Sequence, residues 1–199
     1  MTPTDKGKLC KTGRVGVFAV GHHIYWPQFP GLKEKILQHY GYFLEHLKKK
    51  ARATIISFDD LCDDSRKAFT IGDFFAHQRL DLLFCYVATY APSANAVPVI
   101  QRAGVPTVLL CLQPSSAMDY PNATTWVQLE NDTATSLPEI SGAMIRCNRK
   151  PVDCVVGMLH EDEDAWKRIL NWCECATVMH ELKNARIVLW GTCMKECWT

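Results

Sequence analysis

The chain has no surplus of charge of either sign. In 199 residues, 22 Lys and Arg stand against 21 Asp and Glu, a formal net charge of +1. No basic stripe or acidic tail stands out, which leaves nucleic acid and membrane surfaces without an electrostatic footprint. No apolar run approaches the length that spans a bilayer, and Met1 to Gly13 lacks the apolar core of a signal peptide. The expected location is therefore cytoplasmic. Cys-x-x-Cys is absent although there are 10 cysteines; Cys173-x-Cys175 and Cys193-x-x-x-Cys197 are isolated pairs without the second half of a zinc site. With no export signal the cysteines read as reduced thiols. Cys85, Cys111 and Cys154 sit in apolar runs, where a thiol behaves as a small hydrophobe. There is no G-x-G-x-x-G after the first apolar run, no P-loop and no G-x-S-x-G elbow. No constellation supplies an acid, a base and an electrophile together.

What is present is alternation. Val15 to Val20 is short, apolar and rich in β-branched residues, the pattern of a buried strand. Gly21 ends it, and a loop follows with His22, His23, Tyr25, Trp26, Gln28 and Phe29, closed by Pro30 and Gly31. In a parallel sheet, ligands sit beyond the carboxyl ends of strands, which is where this loop falls. An aromatic plug with two solvated histidines explains the same residues. Leu32, Ile36, Tyr40, Phe43, Leu44 and Leu47 then recur at helical spacing, with Lys48-Lys-Lys50 opposing the macrodipole at the helix end. His39 and His46 on that helix read as solvated.

Ala53 to Phe58 reads as a second strand, with Asp59, Asp60, Asp63 and Asp64 as a solvated loop capping a helix over Arg66 to Arg79, where Gly72 is a poor helix former. Leu82 to Val87 is a third strand, apolar enough to be covered on both faces. Ser93 to Ala103 is a helix with Pro98 in the first turn of its regular part, and Pro106 to Leu112 a fourth strand. Residues 115–136 read as a long polar loop holding Tyr120, Trp126 and Gln128. Pro138 opens a helix running to about Arg149, Val152 to Met158 is a fifth strand, and Asp162 caps a long helix with Trp166, Ile169, Leu170, Cys173 and Thr177 as its buried stripe. His160-Glu161 precedes that cap at the end of the fifth strand. Ala185 to Trp190 resembles one more strand.

This rhythm predicts an α/β fold: an open, parallel, doubly wound (Rossmann-like) sheet of about five strands with helices on both faces. Residues 1–13 are expected to be a disordered tail, 14–183 the α/β domain, and 184–199 the truncated start of a second α/β domain.

Tyr25-Trp-Pro-Gln-Phe-Pro-Gly-Leu32 resembles the first-loop motif of the L-arabinose isomerase-like branch of the L-fucose/L-arabinose isomerase superfamily. Val97-Pro-Val-Ile-Gln-Arg-Ala-Gly-Val-Pro106, Leu112-Gln-Pro114, Leu137-Pro-Glu-Ile140 and Val156-Gly-Met-Leu159 with Ala165-Trp166 agree in register over residues 14–191. The resemblance implies an N-terminal α/β domain, which in complete family members precedes a central α/β domain and a C-terminal β domain. Such proteins interconvert an aldose and a ketose with a divalent metal, usually Mn²⁺, held by acidic residues and histidines in the later parts. By the same resemblance, His23, Tyr25 and Gln28 face the sugar, and Glu130, Asn131 and Asp132 approach it. Bacterial arabinose isomerases proper carry Gln and His in that second loop, where this chain has Asn131-Asp-Thr-Ala-Thr135. The implied ligand is a pentose or 6-deoxyhexose. The implied protein partner is a second copy or a full-length relative, because the N-terminal domain helps to close a neighbour's active site. A stand-alone interaction or sugar-binding module is the alternative. No catalytic residue and no metal ligand is assigned to the chain itself.

On this reading the purified chain shows no aldose–ketose turnover with Mn²⁺ and pentoses or 6-deoxyhexoses, as followed by ketose formation. Metal-dependent turnover would contradict it.

Overall fold

A computed structural model describes residues 12–186 and 188. Five strands form one parallel sheet: β1 (Arg14–Val20), β2 (Thr54–Cys62), β3 (Leu82–Val87), β4 (Thr107–Gln113) and β5 (Asp153–Met158), in the order β2-β1-β3-β4-β5. The expected open, doubly wound α/β architecture is what the chain adopts. Helices α1 (Leu32–Lys50), α2 (Ser65–Ala76), α3 (Val97–Ala103), α4 (Thr125–Asn131), α5 (Leu137–Arg146) and α6 (Glu163–Asn184) cover both faces. Among the described residues no helix is long and apolar enough to cross a membrane.

Strand periodicity sorts the core. Val15, Val17 and Ala19 of β1, Leu82, Phe84 and Tyr86 of β3, and Val108, Leu110 and Leu112 of β4 join one cluster with α1 and α6. The intervening Phe18, Val20, Leu83, Cys85, Val87, Leu109 and Cys111 join the other, with α2, α3 and α5. Successive side chains point to opposite faces, so strands covered twice must be apolar throughout. All six residues of β3 are buried. The six expected apolar positions of α1 are its buried residues. Along α6 the buried positions are Ala165, Trp166, Ile169, Cys173, Ala176 and Thr177, with Leu170 only partly covered. Seven cysteines are free thiols among the described residues.

Four local readings change. First, β2 runs on to Cys62, so Asp59 and Asp60 lie in a strand and not in a capping loop. Its register with β1 steps between Val17↔Ser57 and Ala19↔Leu61, which places a bulge at Phe58 to Asp60. The buried Tyr40 hydroxyl fills that gap, 3.1 Å from the carbonyl oxygen of Phe58 and 3.3 Å from that of Val17. Second, residues 115–136 are not all loop: α4 forms there, with the Thr124 hydroxyl accepting from the Val127 N–H as its cap. Third, Gly72 is not a weakness in α2. A Cβ there would lie 2.7 Å from Arg102 Cδ and 3.0 Å from the Pro98 carbonyl oxygen, so glycine allows α2 and α3 to pack closely. Fourth, Asp64 caps α2 as expected, accepting from the N–H groups of Arg66 and Lys67, but Asp63 beside it is buried.

The boundary readings fall largely outside the described residues, which exclude 1–11, 187 and 189–199. Within them, Gly13 accepts from the Thr54 N–H at 2.7 Å, and Ala185 and Arg186 follow α6 without strand pairing.

The Tyr40 contact generates a stability prediction. Tyr40→Phe keeps the packing and removes the one hydroxyl proton that the Phe58 and Val17 carbonyls share, so urea unfolding should show a loss of about 1–2 kcal/mol. An unchanged midpoint and slope would show that the hydroxyl contributes nothing.

Candidate functional site

The strand order reverses between β1 and β3: the chain leaves β1 for β2 on one side and returns to β3 on the other. The two connections diverge above the carboxyl ends of these strands, at the usual ligand position in this architecture. The loop after β1 holds a 3-10 turn at His23–Tyr25, and the loop after β3 another at Ser93–Asn95. Asn95 joins them: its Nδ2 donates to the Gly21 carbonyl at 2.9 Å, while its own carbonyl accepts from Cys62 Sγ.

Asp63 sets the shape of the first loop. One of its carboxylate oxygens accepts from Trp26 Nε1 at 2.8 Å, and its carbonyl accepts from the backbone N–H and from Nδ1 of His23, both at 3.0 Å. Lys67 Nζ sits 2.6 Å from Asp60 and 3.3 Å from Asp63, and Lys33 closes the group at 3.6 and 3.7 Å. A carboxylate this buried requires such partners. Gly31 ends the loop with φ at 82°, a left-handed turn that a side chain would oppose, and α1 begins at once.

Within this frame a group of rings converges. His22 stands edge-on to Tyr25 at 5.3 Å and to His23 at 5.5 Å, and lies 6.5 Å from Tyr90 of the β3 loop. Burial, and then Tyr90 and Asp132, raise the Tyr25 pKa, so the phenol stays protonated. Burial, and then His23, lower the His22 pKa. His22 Nδ1 is also the one buried side-chain polar atom among the described residues without a hydrogen-bond partner. The Tyr90 hydroxyl reaches Glu139 at 3.5 Å, and Glu139 accepts from the Ser93 N–H at 2.7 Å.

The residues singled out in the sequence divide. Tyr25 joins the ring group with His22 and Phe29, and the charge of Asp132 reaches it only as a minor electrostatic influence. His23 is exposed and turned to Asp63, and the exposed Gln28 folds back to donate to the Ile24 carbonyl at 2.8 Å. Asn131 is buried: its Nδ2 donates to the Val127 carbonyl and its Oδ1 accepts from the Ser115 N–H. Asp132 also accepts from the Thr135 hydroxyl. Glu130 accepts from Nε2 of His39 at 2.7 Å with both side chains largely covered, so His39 is paired and not solvated. Together with the Trp126 Nε1 bond to the Pro30 carbonyl and the Thr89 hydroxyl bond to the Leu129 carbonyl, this pair fastens α4 over the strand ends.

Sequence reasoning passed over His22 as a binding residue, and missed Tyr90 and Asn95. Its available signal was position alone, since all three follow strand ends. A Mn²⁺ site does not fit the described residues: no group of three or more His, Cys, Asp or Glu converges, Glu130 is engaged by His39, and Asp63 is enclosed by Trp26 and lysines. No protein-family model matches the chain, and no curated protein matches it either.

The His22 environment gives a titration prediction. The folded state disfavours the imidazolium, so the NMR midpoint of His22 should lie below 6.5. The unfolded imidazole takes its proton first. Stability should therefore fall as pH drops from about 6.5 toward the lower folded value. A midpoint at or above 6.5 would place His22 in open solvent or beside an anion.

Proposed function

We propose that this chain is the sugar-facing N-terminal domain of an aldose–ketose isomerase-like protein, with a binding role and no catalytic centre of its own. The observation that supports the reading best is the grouping of the His22, Tyr25 and Tyr90 rings where the strand order reverses, with an unpartnered ring nitrogen among them.

A pentose or 6-deoxyhexose is neutral, dense in hydroxyls and apolar on its C–H faces. Each hydroxyl both donates and accepts, so it satisfies His22 Nδ1 in either tautomer. The Tyr25 hydroxyl offers a further donor, the lone pairs that Asp132 and Glu139 have left accept, and the rings pack against C–H faces. Isomerisation moves a hydrogen between neighbouring carbons and needs a base together with an electrophile on the carbonyl oxygen. In complete family members the metal supplies that electrophile. The residues described here bind, orient and exclude water, and the metal-bearing half comes from another part of the assembly. A second copy or a full-length relative is the matching partner.

The second reading, a protein-interaction module, draws on the outer edge of the sheet. Val152 and Val156 at β5 are 46% and 54% exposed beside unpaired strand backbone. A strictly monomeric chain at high concentration in sedimentation velocity would remove that support.

Thermal unfolding with a panel of pentoses and 6-deoxyhexoses tests the first reading. A ligand at a hundredfold excess over its Kd stabilises the native state by about 2.7 kcal/mol. The midpoint should rise with sugar alone, and His22→Leu should abolish the rise without lowering the unliganded midpoint below that of a folded protein. No rise with any sugar in a cooperatively unfolding sample would refute the binding role. A rise only with added Mn²⁺ would refute the exclusion of metal ligands.

A further inference from the structure

The corner where α5 leads into β5 carries positive charge that no ion pair takes up. Arg146 ends α5, and Arg149 and Lys150 lie in the connection that follows; all three are exposed. None of them makes an ion pair among the described residues. From Ile140 to Val152 the chain has no Asp or Glu. Asp153, the first acid after them, is committed to Arg168 and to Trp172 Nε1, both at 2.8 Å.

Capping of α5 does not use these cations. Lys and Arg near a helix C-terminus often bond its last carbonyls. Here the backbone closes the turn itself: the carbonyls of Ala143, Met144 and Ile145 accept from the N–H groups of Cys147, Arg149 and Asn148 at 3.1, 2.8 and 3.0 Å. Asn148 takes a left-handed φ of 54° to allow this. Arg149 reaches one carbonyl, that of Gly104, at 3.5 Å. The same loop walls a concavity of about 250 Å³ beside the entry to β4. Asn148, Arg149, Lys150 and Val152 line it with Gly104 and Pro106, and no carboxylate lines it.

Aliphatic surface borders the charge. Val152 in that wall, Ile145 at the end of α5 and Val156 further along β5 are 46%, 57% and 54% exposed. Cys154 packs with the α2, α3 and α5 cluster and Val155 with the other, so strand alternation puts Val152 and Val156 on the α5 side. α5 packs on α3, which leaves this side of β5 uncovered.

Three unpaired cations beside exposed aliphatic side chains, with no free carboxylate among them, are complementary to a segment that mixes carboxylates with aliphatic residues. A nucleic acid would leave the aliphatic half of the surface unused, since its affinity comes from phosphates and stacked bases. We propose that the α5–β5 corner docks an acidic, aliphatic-bearing segment of a protein partner. Arg146, Arg149 and Lys150 meet its carboxylates, and Ile145, Val152 and Val156 meet its aliphatic side chains. This rests on the interaction reading of the β5 edge and names the chemistry of the partner; the sugar reading does not enter.

The full 199-residue chain is titrated at low salt with acetyl-Glu-Leu-Glu-Val-Glu-amide, following the backbone amide NMR signals of residues 145–156. Matched peptides carry Gln for every Glu, or Ser for Leu and Val, and a short oligothymidylate is the nucleic-acid arm. Saturable shifts with the acidic peptide are expected. Binding should weaken about fivefold in the double variant Arg149→Gln, Lys150→Gln and about threefold in Val152→Ser. It should also be lost at about 1 M salt, where the Debye length is about 3 Å. Circular dichroism checks that the variants fold. Equal binding of the Gln peptide overturns the acidic class and leaves the interaction reading standing with a partner of other chemistry. Equal binding of the Ser peptide, tighter binding of the oligothymidylate, or undiminished binding by the double variant each overturn the proposal. Concentration-dependent shifts of the same amides without peptide assign the surface to a second copy and overturn it too. No saturable shift with any peptide, in a natively folded and strictly monomeric chain, removes the proposal and the interaction reading together.

Discussion

Parallel pairing of β1 on both of its edges is the constraint on which the rest of the molecule depends. β1 meets β2 on one side and β3 on the other over most of its length. Its backbone groups are satisfied by those ladders, and its side chains are buried on both faces, which demands an apolar strand and two layers of helix. Parallel neighbours cannot be joined by tight turns, so each strand is followed by a crossover. Right-handed crossovers place α1 on one face and α2, α3 and α5 on the other, and α6 returns to the face of α1. The divergence of the loops after β1 and β3 follows from this topology.

The same pairing explains two buried polar features. The bulge in β2 breaks the ladder beside β1, and the Tyr40 hydroxyl restores a donor there. Beyond the bulge the chain turns toward α2 through Asp63, whose carboxylate fixes Trp26 and whose carbonyl fixes His23. The loop that presents His22 and Tyr25 is thus held by the neighbouring strand's exit.

Much of this was legible in the sequence, for an identifiable reason. The α1 stripe, β3 and the Asp64 and Asp162 caps are local patterns, set by periods of 2 and 3.6 residues or by one side chain reaching a backbone N–H nearby. What was not legible joins residues distant in the chain. Asp63 and Trp26 are 37 positions apart, and His39 and Glu130 are 91 apart. Nothing local marks such pairs, so Asp63 and His39 looked like solvated polar residues. The seven-residue α4 is too short for a full apolar stripe. It stands through Leu129, the His39 pair and the Trp126 bond, all of them tertiary. In the loop after β1, adjacent residues part ways: His22 enters the ring cluster while His23 turns to Asp63.

Backbone chemical-shift mapping with a saturating pentose and no added metal tests the central claim most directly, because it reports where the sugar sits. Shifts are expected at residues 21–31, 88–96 and 129–139, around His22, Tyr25, Tyr90 and Asp132. Shifts confined to the opposite end of the sheet, around Arg79, Asp81, His180 and Lys183, would contradict the assignment of the strand-order reversal as the sugar-facing site.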